Sequence, residues 1–210
     1  MYWSRIVDIL IINGSYRERG NTRALIDMVK RGLEWDGNRI SEIFLAEKDI
    51  RHCRGCLSCF DQKESPIGDC VVTDDVREIL ERMIAADALV VACPIYWGTM
   101  SAPLTALTHR MTALTYDKVL DGGMKGVPVP KHTPSRPGMY ITSSIAPSFL
   151  FSLSREYRCF KTRLSEFLRF AGFRTSYRLI VGGSMMGAPI GEREKTARKA
   201  EHMGRRLVSG

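Results

Sequence analysis

The chain has 210 residues, enough for one well-cored domain and short for two, so a single domain over 1–210 is expected. A composition of 44% hydrophobic and 26% charged residues excludes a disordered or low-complexity chain. The net charge of +8 favours anionic ligands. Its basic residues are spread along helical segments without a nucleic-acid module, so nucleic acid is not an expected partner.

The segment Met1 to Gly14 is apolar, yet Arg5 and Asp8 interrupt it and no small-residue cleavage site follows. It reads as a first strand, Ile6 to Ile12. A helix from about Thr22 to Glu34 follows, with Leu25, Ile26, Met28, Val29 and Leu33 on one apolar stripe and Asn21 as its cap. A second strand, Arg39 to Leu45, leads into a cysteine-rich loop. The next helix starts at Asp74 or Asp75, where a carboxylate can accept orphan backbone N–H groups, and places Val76, Ile79, Leu80 and Met83 on one face.

Ala88 to Ala92 is short and continuously apolar, as a parallel strand buried on both faces should be. The wider apolar run Ala85 to Trp97 is too short to cross a bilayer and is closed by Pro94 and Gly98. No membrane partner is expected, and the cytoplasm is the expected compartment. A helix from about Ala102 carries Pro103 in its first turn. The stretch Tyr116 to Gly138, with Gly122, Gly123, Gly126, Pro128, Pro130, Pro134 and Pro137, is expected to be a long loop with no regular element. A strand at Met139 to Thr142, a helix from Ser148 to Ala171, a strand at Ser176 to Val181 and a helix from Glu192 to Leu207 complete the chain. Alternation of this kind predicts a parallel sheet covered by helices on both faces.

In such sheets ligands bind beyond the carboxyl ends of the strands, so the loops after the first, third and fourth strands are the candidate site. The first runs Asn13-Gly14-Ser15-Tyr16-Arg17-Glu18-Arg19-Gly20-Asn21-Thr22. Its glycines let the backbone curl, successive N–H groups over a helix N-terminus attract an anion, Ser15 and Thr22 add hydroxyls and Arg17 adds a charge. The glycine offsets match neither the Walker loop nor the dinucleotide loop, which leaves a phosphomonoester as the expected ligand. The loop after the third strand, Cys93-Pro94-Ile95-Tyr96-Trp97-Gly98-Thr99-Met100-Ser101-Ala102-Pro103, offers two large aromatics and a glycine to a flat ligand.

Together these loops resemble those of the NAD(P)H-dependent FMN reductase branch of the flavodoxin-like proteins, a resemblance that spans nearly the whole chain. It implies a flavodoxin-like α/β three-layer sandwich with a five-stranded parallel sheet in the order 2-1-3-4-5. It also implies that Ser15, Arg17, Gly20, Asn21 and Thr22 hold the FMN phosphate, that Pro94, Ile95, Tyr96, Trp97 and Gly98 line the isoalloxazine, and that Thr142, Ser143 and Ser144 close another side. NAD(P)H is the implied electron donor. A quinone, a nitro or azo compound, or a flavin is the implied small-molecule acceptor. Because FMN carries the chemistry, no separate catalytic side chain is expected. His109-Arg110 departs from the acidic-Arg pair expected in the helix after the flavin loop.

Cys53, Cys56 and Cys59 stand in two successive C-x-x-C steps, and Cys70 makes four, the number that a cubane cluster needs. The motif is similar to that of iron-sulfur flavoproteins in the same family, although ten residues separate Cys59 from Cys70 where the family gap is shorter. A [4Fe-4S] cluster, free thiols supporting the loop and zinc are the alternatives. Cys93 and Cys159 are expected as buried thiols. The family implies a homodimer or homotetramer, for which Phe149, Phe151, Tyr157 and Phe160 are candidate contacts, with core packing as the other role open to them. The alternative to an enzyme is an electron-carrier or redox-sensing flavoprotein that turns over little NAD(P)H. A specialised biosynthetic reductase is a third reading, raised by the long 116–138 stretch.

Overall fold

The computed structural model describes residues 6–34, 37–118, 127–147, 154–184 and 189–209. In chain order its elements are β1 (Asp8–Asn13), α1 (Asn21–Leu33), β2 (Arg39–Phe44), α2 (Val76–Ala85), β3 (Ala88–Ala92), α3 (Ala102–Arg110), β4 (Thr115–Lys118), β5 (Val127–Pro130), β6 (Arg136–Ser143), α4 (Arg155–Phe170), β7 (Phe173–Val181) and α5 (Glu194–Val208). Five strands pair in parallel in the order β2-β1-β3-β6-β7, which is the expected 2-1-3-4-5 once the β4-β5 ribbon is set aside.

Both faces of the sheet are covered, and the period of two along each strand divides the core. Ile9 and Ile11 of β1, with Ala88, Val90 and Ala92 of β3, pack on α1 and α5. Leu10 and Ile12, with Leu89 and Val91, pack on α2, α3 and α4. All five stripe residues predicted for α1, and all four predicted for α2, are buried. Where α1 and α5 cross, glycines let the backbones touch: a Cβ on Gly32 would lie 2.1 Å from the Glu201 carbonyl oxygen, and one on Gly204 would lie 2.5 Å from that of Val29. Among the described residues no helix is long and apolar enough to cross a membrane.

Several expectations are corrected. The stretch after α3 is not a structureless loop, because β4 and β5 form an antiparallel ribbon in which Pro130 faces Thr115 and Pro128 faces Asp117. In an antiparallel ladder only alternate residues exchange N–H bonds, so prolines two apart leave Val127, Val129 and Lys131 to donate. Lys131 N–H indeed donates to Leu114 O at 2.8 Å. Gly122, Gly123 and Gly126 lie outside the described residues. Strand β6 starts at Arg136 and β7 at Phe173, upstream of their predicted starts, with an irregular step at Gly138/Met139.

Asn21 is the first helical residue, not the cap of α1. Gly20 precedes it at φ 152°, where a glycine is favoured, and no side chain caps the helix. Tyr157 and Phe160 are buried in the core, so they are not intersubunit contacts. Phe149 and Phe151, like the predicted start of that helix at Ser148, lie outside the described residues. Cys93 is buried as expected, but Cys159 is exposed on the outer face of α4, where the helical period turns it away from Phe160.

Candidate functional site

The loops after β1, β3 and β6 meet at the carboxyl end of the sheet. Gly14 N–H donates to Ala92 O at 2.8 Å, and a Cβ at Gly14 would lie 3.1 Å from Ser101 Oγ and 3.2 Å from Leu104 Cβ. Thr22 Oγ1 and Ser143 Oγ are 3.3 Å apart and buried, joining α1 to the end of β6. Ile95 N–H donates to Ser143 O at 3.3 Å, which ties in the third loop. All three predicted loops are thereby brought together, with Ser15, Thr22, Thr142 and Ser143 buried and Arg17, Gly20, Tyr96 and Trp97 exposed.

The turn after β1 is held by a relay that the sequence did not reveal. Asn13 Oδ1 accepts Ser15 N–H at 3.0 Å, while Asn13 Nδ2 donates to Glu42 Oε1 on β2 at 3.0 Å. Glu42 also accepts from Arg23 at 2.9 Å and Lys30 at 2.6 Å. Burial pushes the Glu42 carboxyl up, but the bonds from Lys30 and Asn13 outweigh it and hold the group below the ordinary carboxylate range. Ser15 Oγ accepts Arg17 N–H at 3.1 Å, closing a tight local turn. Above it the first turn of α1 has neither a side-chain cap nor an acidic residue, so its leading N–H groups and the positive end of the dipole face the loop.

The turn after β3 is a two-residue reversal. Tyr96 and Thr99 exchange N–H···O bonds of 3.1 and 2.8 Å, with Trp97 at φ 49° and Gly98 at φ 70°. Positive φ at both central residues gives a primed turn, unfavourable for a bulky residue, and it leaves the Trp97 ring fully exposed. A Cβ on Gly98 would lie 2.9 Å from Glu156 Cβ, so this turn rests on the start of α4. Beneath it Cys93 Sγ accepts Ser101 N–H at 3.3 Å, and burial pushes the Cys93 thiol up to about 11. On β6, Ser143 faces α1, whereas the buried Thr142 Oγ1 has no hydrogen-bond partner among the described residues. An orphan hydroxyl at that depth costs about 1–3 kcal/mol, which a ligand atom would offset. The uncapped helix end, the orphan hydroxyl and the exposed aromatic turn fit a phosphorylated, planar cofactor such as FMN.

The cysteine loop hangs from a buried ion pair. Arg110 and Asp74 are 2% and 0% exposed along their side chains. Arg110 donates to Arg51 O at 2.9 Å and to Val72 O at 3.2 Å, so one guanidinium pins both ends of the loop. Burial opposes ionisation of Asp74, but the Arg110 hydrogen bond and charge, together with the Arg51 and Val76 N–H groups, outweigh it and hold the carboxyl below its ordinary range. Between those ends, Cys53, Cys56 and Cys70 are exposed and Cys59 is buried. Among the described residues no three His, Cys, Asp or Glu side chains gather to hold a metal ion. Burial, and after it the neighbouring Cys70, Cys53 and Cys56, push the Cys59 thiol above its ordinary range, so the four cysteines share one electrostatic neighbourhood. The segment between Cys59 and Cys70 folds back onto Cys59. Ile67 is anchored in the core, Gly68 N–H donates to Ala113 O at 2.7 Å, and a Cβ on Gly68 would lie 1.9 Å from the Cys59 carbonyl oxygen.

Fold and site together define a flavodoxin-like α/β protein. The chain belongs to the NADPH-dependent FMN reductase family, whose model matches residues 7–135. It is 35% identical over 106 residues to an iron-sulfur flavoprotein of Methanocaldococcus jannaschii, covering 50% of this chain and 52% of the relative. It is 34% identical over 103 residues to an iron-sulfur flavoprotein of Methanosarcina thermophila, covering 49% and 51%. The chain thus aligns over about half the length of the curated relatives it matches. An NAD(P)H:quinone oxidoreductase from Methanothermobacter marburgensis superposes with a TM-score of 0.67 at 18% identity, covering 98% of each chain. An FMN-dependent NADH-azoreductase from Bacillus anthracis, solved with FMN, does so with a TM-score of 0.68 at 16% identity, covering 97% and 100%. At such identities these likenesses concern the fold alone.

Proposed function

We propose that this protein binds FMN across the three loops and passes electrons from NAD(P)H to a small acceptor such as a quinone, a nitro or azo compound, or a flavin. The observation that carries it is the convergence of an uncapped α1 N-terminus with the Ser15 and Thr22 hydroxyls, the orphan Thr142 Oγ1 and the exposed Trp97 turn. Ser15, Arg17, Gly20, Asn21 and Thr22 are assigned to the phosphate. Pro94 to Gly98 are assigned to the ring, and Thr142, Ser143 and Ser144 to its remaining edge. Bound FMN supplies hydride acceptance and one- or two-electron release. The chain contributes anion binding, orientation of the ring on a stiff primed turn, and shielding by the β6 end.

The test is FMN titration of the purified protein followed by NADH and NADPH oxidation with a quinone. Saturable uptake and steady turnover are expected; a colourless protein that takes up no FMN in excess ends the proposal. A second reading, an electron carrier with a [4Fe-4S] cluster, is favoured by the names of the relatives and by four cysteines sharing one loop. Iron and acid-labile sulfide in anaerobically purified protein, together with negligible NAD(P)H turnover, would establish it instead. A homodimer or homotetramer is proposed from the family, to be checked by light scattering.

A further inference from the structure

Helix α4 carries, on one exposed stripe, Arg155, Arg158, Cys159, Thr162 and Arg163, spaced i, i+3, i+4, i+7 and i+8. They line a shallow hollow of about 540 Å³. Among the described residues no carboxylate pairs with Arg155, Arg158 or Arg163; the nearby Glu166 is taken by Arg169 at 2.7 Å, and Glu156 sits against Gly98. The stripe therefore presents guanidinium forks matched to phosphate oxygens.

At Thr162 and Arg163 this hollow meets a second cavity of about 460 Å³, walled by Phe60, Met100, Met111, Pro128, Phe167 and Phe170. Four threonines also line it, but each hydroxyl proton is taken by a backbone carbonyl, leaving no free O–H donor: Thr108 donates to Leu104, Thr112 to His109, Thr115 to Thr112 and Thr162 to Arg158. The cavity is thus apolar in effect and of a size suited to a planar ring. The two hollows share Thr162 and Arg163, and Arg155, at the other end of the first, is next in the chain to Glu156, which sits against Gly98 of the flavin turn. From Glu156 to Glu166, which lines the second cavity, the helix advances about 15 Å at 1.5 Å per residue.

A ring at one end, anion-binding forks along the middle and an apolar slot at the other match a dinucleotide better than any small acceptor. We infer that the electron donor lies along α4, its nicotinamide at the Trp97–Gly98 turn, its pyrophosphate on Arg155 and Arg158, and its adenine in the apolar cavity. Arg163, at the cavity mouth, grips the 2′-phosphate and selects NADPH over NADH. This inference rests on the FMN reductase function proposed above. A 2′-phosphate adds about 1.5 to 2 negative charges at the one position where the two dinucleotides differ.

The test uses adenosine 2′,5′-bisphosphate and adenosine 5′-monophosphate as probes, titrated by calorimetry against the FMN-loaded protein. The bisphosphate should bind about tenfold tighter, the size of one charge-assisted contact. Arg163→Gln should bring that ratio close to one, Arg163→Lys should restore part of it, and the NADPH/NADH ratio of kcat/KM should fall in parallel in the Gln variant. Equal binding of the two probes to the wild-type protein, or an unchanged ratio in Arg163→Gln, overturns the inference. So does bisphosphate binding that appears only on dilution to monomer, which would assign the groove to a second copy of the chain. A protein that oxidises NADPH yet shows no 2′-phosphate preference removes this inference alone, whereas one that holds FMN but oxidises neither dinucleotide removes the reading on which it rests.

Discussion

Asn13 shows how one side chain fixes a binding turn from outside it. Its amide is held by Glu42 and in turn holds Ser15 N–H, so the loop geometry is set by a residue on a neighbouring strand. Asn13→Ala should free that N–H and cost about 1 kcal/mol, raising the FMN dissociation constant roughly fivefold by fluorescence quenching. Cysteine reactivity divides just as locally. With its thiol pushed up to about 11 by burial, Cys93 stays protonated at pH 8, whereas Cys159 is exposed. Iodoacetamide at pH 8 should label Cys159 and spare Cys93 until the protein unfolds, as peptide mass spectrometry will record.

Among elements, the α1–α5 crossing and the neck of the cysteine loop bear the heaviest constraints. Gly32 lets α5 approach until no Cβ fits, so Gly32→Ala must push the helices apart and should cost about 1–3 kcal/mol, measurable by urea unfolding. At the neck, Asp74→Ala leaves the Arg110 guanidinium buried without its counter-ion, a loss of about 3–5 kcal/mol. The same variant should expose the 52–71 loop to proteases at concentrations the wild-type protein survives. Of the His109-Arg110 pair, Arg110 keeps the arginine of the family pattern and closes the loop, while nothing in the structure explains His109 in place of an acidic residue.

For the molecule as a whole, acid sensitivity follows from carboxylates held below their ordinary range, among the described residues Glu42 and Asp74. A depressed folded-state pKa contributes stability that is fully present above the unfolded value, near pH 4, and is lost as pH falls through the folded value. The melting temperature should therefore be insensitive to these groups from about pH 5 to 8 and drop below about pH 4. Asp74→Asn should flatten that drop. A wild-type protein whose melting temperature does not fall in acid would refute the coupling.

The alternation of strands and helices, the buried stripes of α1 and α2 and the candidate loops were legible in the chain, because period and glycine placement are local and covalent in origin, whereas the sheet order came from the family resemblance. Less legible were the features made by residues distant in sequence. Pro128 and Pro130 read as breakers until β4 supplied a partner in the register that needs no N–H from them. Asn21 reads as a cap until Gly20 takes the left-handed turn. The Glu42 relay joins residues 29 apart in the chain, and the Arg110 clamp joins residues as far as 59 apart, so neither leaves a local pattern. The cysteine spacing placed four thiols in one loop, and only packing buries Cys59 while leaving Cys53, Cys56 and Cys70 exposed. Side-chain type and period alone determined which surfaces must be buried and where an anion and a ring could be met; which groups actually touch there was decided by tertiary packing, since only the folded chain brings distant partners within hydrogen-bonding range.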